Sequence, residues 1–81
     1  MKIKPRTYYK IYYNVDKEWY DILYTGNKWV YIIAYKHNNN PLIKYDKKIK
    51  WFTINDYQDY IDMYSIKIKE LTKEDVFLEL L

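Results

Sequence analysis

The sequence is poor in almost every residue type that performs covalent chemistry. It has no cysteine, which excludes disulfides, thiolate nucleophiles and the usual zinc sites. Gly26 is the one glycine, so no glycine-rich loop is available to cradle a phosphate. His37 and Ser65 are the single histidine and serine. Ser65 falls where a helix is expected to end and His37 opens a loop, so they read as a turn serine and a solvated loop histidine, and no triad is expected. Arg6 is the only arginine, which leaves out the side chain best suited to bidentate contacts with phosphate and guanine. The longest apolar run, 29–35, falls far short of the roughly 20 residues that span a bilayer. The start, Met1 to Arg6, is basic without an apolar stretch behind it, unlike a signal peptide. A cytoplasmic protein without membrane association is expected.

Lysine and tyrosine are abundant instead. Fourteen basic against 11 acidic residues give a net charge of +3. That is unlike an acidic DNA mimic and too mild for a strongly basic nucleic-acid binder. Twelve tyrosines, three tryptophans and two phenylalanines sit in only 81 residues. So short a chain forms one domain, 1–81, with a thin core. Its tyrosines cannot all be buried, because each hydroxyl needs a partner or water. Half-exposed tyrosines suit recognition, since they offer large contact area at low entropic cost. AT-rich coding bias also accounts for the Lys, Asn, Ile and Tyr content, and it points to a low-GC bacterium or its mobile elements.

Residues 7–53 alternate with period two. A two-residue turn at Asp16-Lys17 is expected to pair Tyr13 with Tyr20, Ile11 with Ile22 and Tyr9 with Tyr24. Gly26-Asn27 fits a type II′ turn that pairs Tyr24 with Trp29, Ile22 with Tyr31 and Tyr20 with Ile33. Residues 37–41 read as a loop. Asp46-Lys47-Lys48 reads as a three-residue turn pairing Tyr45 with Ile49 and Ile43 with Trp51. Strands are expected at 7–15, 18–25, 28–36, 42–45 and 49–53. The opposite side of this meander carries Trp19, Leu23, Val30, Ile32, Ala34 and Leu42 among polar residues, so both faces need cover.

From residue 53 the period becomes helical. Tyr57, Tyr60, Ile61 and Tyr64 form one stripe, and Asn55 with Gln58 fits a capping box, giving a helix at 55–64. Residues 65–71 read as a sixth strand at an edge, with Lys67 and Lys69 blocking further pairing. Thr72 with Asp75 fits a second capping box, but 76–81 reads equally well as helix or strand. The fold class expected is α+β: an antiparallel five- to six-strand meander, open or curled like a barrel, with one amphipathic helix and a second, short C-terminal helix as one alternative.

Binding remains as the expected activity. Asp56, Asp59 and Asp62 read as a solvated helix face that also favours the helix dipole, and no metal or cofactor is expected. Lys44, Lys47, Lys48 and Lys50 read as a soluble hairpin tip. Tyr8, Lys10 and Tyr12 alternate on the outer face of an expected edge strand, and Asp21 shares that side of the first hairpin. These four residues are the candidate contact site, with the rings as anchors and the charges setting orientation; the alternative for the rings is packing beneath the C-terminal helix. In size, coding bias and lack of catalytic groups the chain resembles the small accessory proteins of low-GC phages and mobile elements. The expected function is a non-enzymatic protein-binding module: an inhibitor, carried by such an element, of a host or defence protein that handles nucleic acid. Pairing of free sheet edges would allow a homodimer. The alternative is a small single-strand nucleic-acid binder, in which Tyr8 and Tyr12 stack bases while Lys4, Arg6 and Lys10 contact phosphate.

Overall fold

In the computed structural model, which describes residues 2–13, 18–38 and 40–81, the chain builds one antiparallel sheet and two helices. The elements run β1 (Tyr8–Tyr12), β2 (Tyr20–Thr25), β3 (Trp29–Lys36), β4 (Ile43–Thr53), α1 (Ile54–Tyr64), β5 (Lys67–Leu71) and α2 (Lys73–Glu79). The five strands are ordered β4-β3-β2-β1-β5, an open sheet with two edges and not a barrel. β1 to β4 form a meander; α1 then carries the chain back across one face, so that β5 pairs with β1 on the far side. β5 is an edge, as expected, but its arrival makes β1 an interior strand.

The α+β class holds, but the pairing differs. β1 and β2 meet one residue out of the expected step: Tyr9 lies opposite Leu23, Ile11 opposite Asp21 and Tyr12 opposite Tyr20. The Tyr13 amide donates to the Trp19 carbonyl at 2.9 Å, continuing this ladder. The Asp16-Lys17 turn itself lies outside the described residues. The cause is in β2, where Tyr20, Ile22 and Tyr24 on one side face away from Leu23 on the other. When both parities carry apolar residues, a one-residue slip still buries apolar side chains, here at the expense of burying Asp21 as well, so apolar pattern alone does not select register.

The β2–β3 connection is also wider than expected. Thr25 pairs with Val30 and Tyr24 with Tyr31, and the Gly26 amide donates to the Trp29 carbonyl at 2.8 Å. A type II′ turn needs positive φ at its first central position, and Gly26 does not adopt it. Gly26 has a packing reason instead: a Cβ there would stand 3.2 Å from the Tyr31 ring. An irregularity beyond Leu23 then sets Ile22 opposite Ala34 and Asp21 opposite Tyr35.

The expected strands 42–45 and 49–53 are one 11-residue strand, β4. Asp46-Lys47-Lys48 is not a hairpin turn. Ile49 lies opposite Ile32 and Lys44 opposite Ala34, so the residues between them are accommodated as a bulge along β3. α1 begins one residue earlier than expected, and its N-cap is Thr53, whose hydroxyl accepts from the Asp56 amide at 3.1 Å. Gln58 is not closing a capping box with Asn55; its side-chain carbonyl accepts from the Ile3 amide at 2.6 Å. Ser65 closes the helix in the left-handed conformation at φ 51°. The Thr72–Asp75 capping box forms as expected and makes the last segment helical.

Each face of the sheet has its own core. Under α1, Tyr9, Ile11, Leu23 and Val30 pack with Ile3, Tyr57 and Ile61. Under α2, Tyr20, Ile22 and Ala34 pack with Leu71 and Val76. Ile11, Ile22, Val30 and Ala34 are fully buried, as strands covered on both sides require.

Candidate functional site: an acid-floored aromatic cleft

The one-residue slip between β1 and β2 decides what the sheet displays. It turns Asp21 onto the face that carries Tyr9, Ile11 and α1. Tyr8, Lys10 and Tyr12 remain on the other face, against the core beneath α2. The four candidate residues therefore do not form one patch, and the three on β1 have the environment of the packing alternative.

Lys10 is engaged within the fold. Its ammonium lies 2.6 Å from Glu79 Oε1 on α2 and 4.0 Å from the centroid of the Tyr20 ring. Burial pulls the Lys10 pKa down, but the Glu79 hydrogen bond and charge, with Tyr20 and Tyr12, outweigh it and raise the pKa. The other cations of the nucleic-acid alternative are also engaged: Lys4 lies 2.9 Å from Glu70, and Arg6 donates to Asn27 at 2.7 Å.

On the α1 face, beyond the helix, the sheet leaves a cleft of about 560 Å³. Tyr13, Trp19, Tyr35, Tyr45 and Trp51 supply its rings, with Ile32, Asp21 and His37 completing the lining. Each residue arrives by a local feature. Tyr13 and Trp19 extend the β1–β2 ladder. Asp21 and Tyr35 are cross-strand partners. Tyr45 lies in the β4 bulge, with its ring centroid 5.5 Å from that of Tyr35, and Trp51 lies at the next irregularity of β4, 5.5 Å from Tyr57 on α1. His37 stands between Trp19 and Tyr35, with ring centroids 4.7 and 4.9 Å away. It is half-buried in an aromatic row, not the freely solvated loop residue expected from its neighbours.

Asp21 is only 7% exposed. The Tyr13 hydroxyl donates to its Oδ2 at 2.6 Å. Burial pushes the Asp21 carboxyl pKa above its ordinary value, partly offset by the Tyr13 hydrogen bond and the charge of His37. The same burial, reinforced by the bond to Asp21, pushes the Tyr13 phenol upward. Behind this pair the Tyr57 hydroxyl is buried, with no well-formed hydrogen bond among the described residues and the Tyr13 hydroxyl as its polar neighbour. Its pKa is raised by burial and by the negative charge of Asp21. The floor is thus a desolvated acid with two phenols around it, and the walls are rings.

A second surface lies on the α2 face beyond that helix. Lys48 stands 4.8 Å above the Tyr24 ring and 5.6 Å above Tyr31, and Lys50 stands 4.3 Å above Trp29. Lys44, assigned by sequence to the same soluble tip, instead donates to the Leu80 carbonyl at 2.7 Å and ties β4 to the end of α2. Asp56, Asp59 and Asp62 are exposed on α1, and no cluster of three metal-ligating side chains occurs among the described residues. Phe77, Leu78 and Leu81 are exposed at the end of the chain.

Sequence reasoning singled out Asp21 but not its surroundings. Alternation alone gives Tyr13 one side of its strand, opposite to that of Tyr8, Lys10 and Tyr12. The correct register was the missing signal, because it alone adds Trp19 and Asp21 to the Tyr13 side. Set against known protein families, curated proteins and solved structures, the chain finds no match.

Proposed function

We propose that the chain is a non-enzymatic protein-binding module that engages its partner through the cleft around Asp21. One observation carries this reading: five aromatic side chains surround a carboxylate that is 7% exposed and tied down by a neighbouring hydroxyl. Rings of this kind give large contact area for little lost side-chain freedom, and anchors of this type dominate binding energy. A buried acid lowers the stability of a fold unless something compensates it, so its retention among rings is more readily explained by a ligand than by folding. If the partner is a host or defence protein, as the composition led us to expect, occupation of its surface amounts to inhibition.

The lysine-over-ring surface formed by Tyr24, Trp29, Tyr31, Lys48 and Lys50 favours a second reading, single-strand nucleic-acid binding. One experiment separates the two. The full chain is used as bait in lysate of a low-GC bacterium, with and without nuclease, beside a Trp19→Ala/Tyr45→Ala variant and a Phe77→Ala control. Nuclease-resistant capture of a discrete protein should fall about tenfold or more in the double variant and persist in the control. Undiminished capture by the double variant overturns docking at the cleft. Capture that nuclease abolishes, and that declines steeply with salt, favours the nucleic-acid reading.

A further inference from the structure

We infer that the group received by the cleft is the ammonium of a lysine side chain from the partner protein. This rests on the docking reading above and adds the chemistry of the contact. Three observations converge on it. First, the faces of aromatic rings are electron-rich and attract cations, and the cleft is walled by Tyr13, Trp19, Tyr35, Tyr45 and Trp51. Second, the floor is a carboxylate. The ion pairs Lys4–Glu70 and Lys10–Glu79 do not involve Asp21. Among the described residues the lining includes no lysine or arginine, although the chain has 14 of them. The cleft is an acidic point on a basic protein.

Third, Asp21 discriminates between cations. Its Oδ2 already accepts the Tyr13 hydroxyl at 2.6 Å. A guanidinium binds best when both carboxylate oxygens are free for its planar fork, whereas an ammonium is a compact charge that needs only one. The rings then sheathe the four-carbon stem, which is apolar along its length. An acidic or phosphorylated partner segment would meet the Asp21 charge and the ring faces together, and is disfavoured by both.

The test uses the isotopically labelled full chain and three end-blocked tripeptides with Lys, Arg or norleucine between glycines. Indole N–H resonances report the location: Trp19 and Trp51 line the cleft, while Trp29 lies on the opposite face as an internal control. The lysine peptide should shift Trp19 and Trp51 saturably and leave Trp29 unmoved. The norleucine peptide and the Asp21→Asn variant should each weaken binding about tenfold or more, and the arginine peptide should bind less tightly than lysine. A melting curve verifies that Asp21→Asn is folded, and Asp21→Ser serves as a second variant if it is not. Equal binding of norleucine, undiminished binding by the folded variant, preference for arginine, or shifts confined to Trp29 would each overturn the inference. Failure here is separable from failure of docking. Capture lost in Trp19→Ala/Tyr45→Ala but intact in Asp21→Asn removes the ammonium and retains the docking site. Lysine-peptide binding beside capture indifferent to the double variant retains the ammonium site and removes the docking.

Discussion

The two faces of the sheet are covered unequally. The 11-residue α1 lies over one face, with Tyr57 and Ile61 driven into a core that also takes in Ile3. The 7-residue α2 lies over the other and contributes Val76 as its one buried residue. Neither helix covers the width of five strands, and the uncovered portions are finished differently. Beside α1 the rings stand around a buried acid; beside α2 lysines lie across the rings. Lysine stems shield aromatic surface and keep it wet at the top, whereas the acid leaves its rings open to a cation from outside. The same residue class thus yields a finished surface on one side and a receptive one on the other.

If the α1 face is the principal core, its loss should dominate stability. Ile11→Ala empties a fully buried position there and should cost about 2–5 kcal/mol, a large part of the total for so small a domain. Val76→Ala on the α2 side should cost roughly 1.5 kcal/mol. Urea unfolding midpoints compare the two directly, and equal losses would show that the faces contribute alike.

The α2 face depends on Lys10 and Glu79 as much as on its apolar contacts. Lys10→Met should lower stability at neutral pH by about 1–3 kcal/mol, because it strands Glu79 in a half-buried setting. The pH dependence carries a definite sign. The Lys10 pKa is raised by folding, so its contribution is complete below the ordinary lysine value of 10.5 and disappears as pH climbs through the raised value. The gap between wild type and Lys10→Met should therefore close in strong alkali. A gap independent of pH would mean that the methylene stem, not the charge, holds α2 down.

The smallest effect expected is a gain. Folding raises the Asp21 carboxyl pKa, so the folded chain binds its proton more readily than the unfolded one, and ionisation opposes folding. Asp21→Asn, whose amide oxygen can still accept the Tyr13 hydroxyl, should melt slightly higher than wild type at pH 7. The difference should shrink as pH falls through the raised value toward the ordinary carboxyl value of 3.8. Melting curves across that range test it. A lower melting temperature at pH 7 would indicate that Asp21 is there for the fold rather than for a ligand.

Element type was largely readable from local chemistry, but pairing was not. The switch to helical spacing after Thr53, the Thr72–Asp75 cap and the lysine-bearing strand ending at Leu71 are local signals, and each appears in the fold. Register is a tertiary decision. Tyr20, Ile22 and Tyr24 compete with Asp21 and Leu23 for the same neighbours, and only the helices on either side resolve that competition. β4 misled for a related reason. Asp46-Lys47-Lys48 has turn chemistry, yet β3 offers a long partner along which the excess residues can bulge. Asp21 was visible as a candidate and Trp19 shares its side of the strand, but the slipped pairing is what brings both onto the face that holds Tyr13 and α1.

An open sheet also has margins. β4 and β5 each present an unpaired row of backbone donors and acceptors, the form of surface onto which stray strands crystallise into fibrils. Lys44, Lys47, Lys48 and Lys50 punctuate one margin, Lys67 and Lys69 the other. A second chain approaching either border in register would confront like charge before completing its hydrogen bonds. Charge of one sign along both borders is the feature that opposes self-templating by so aromatic a polypeptide.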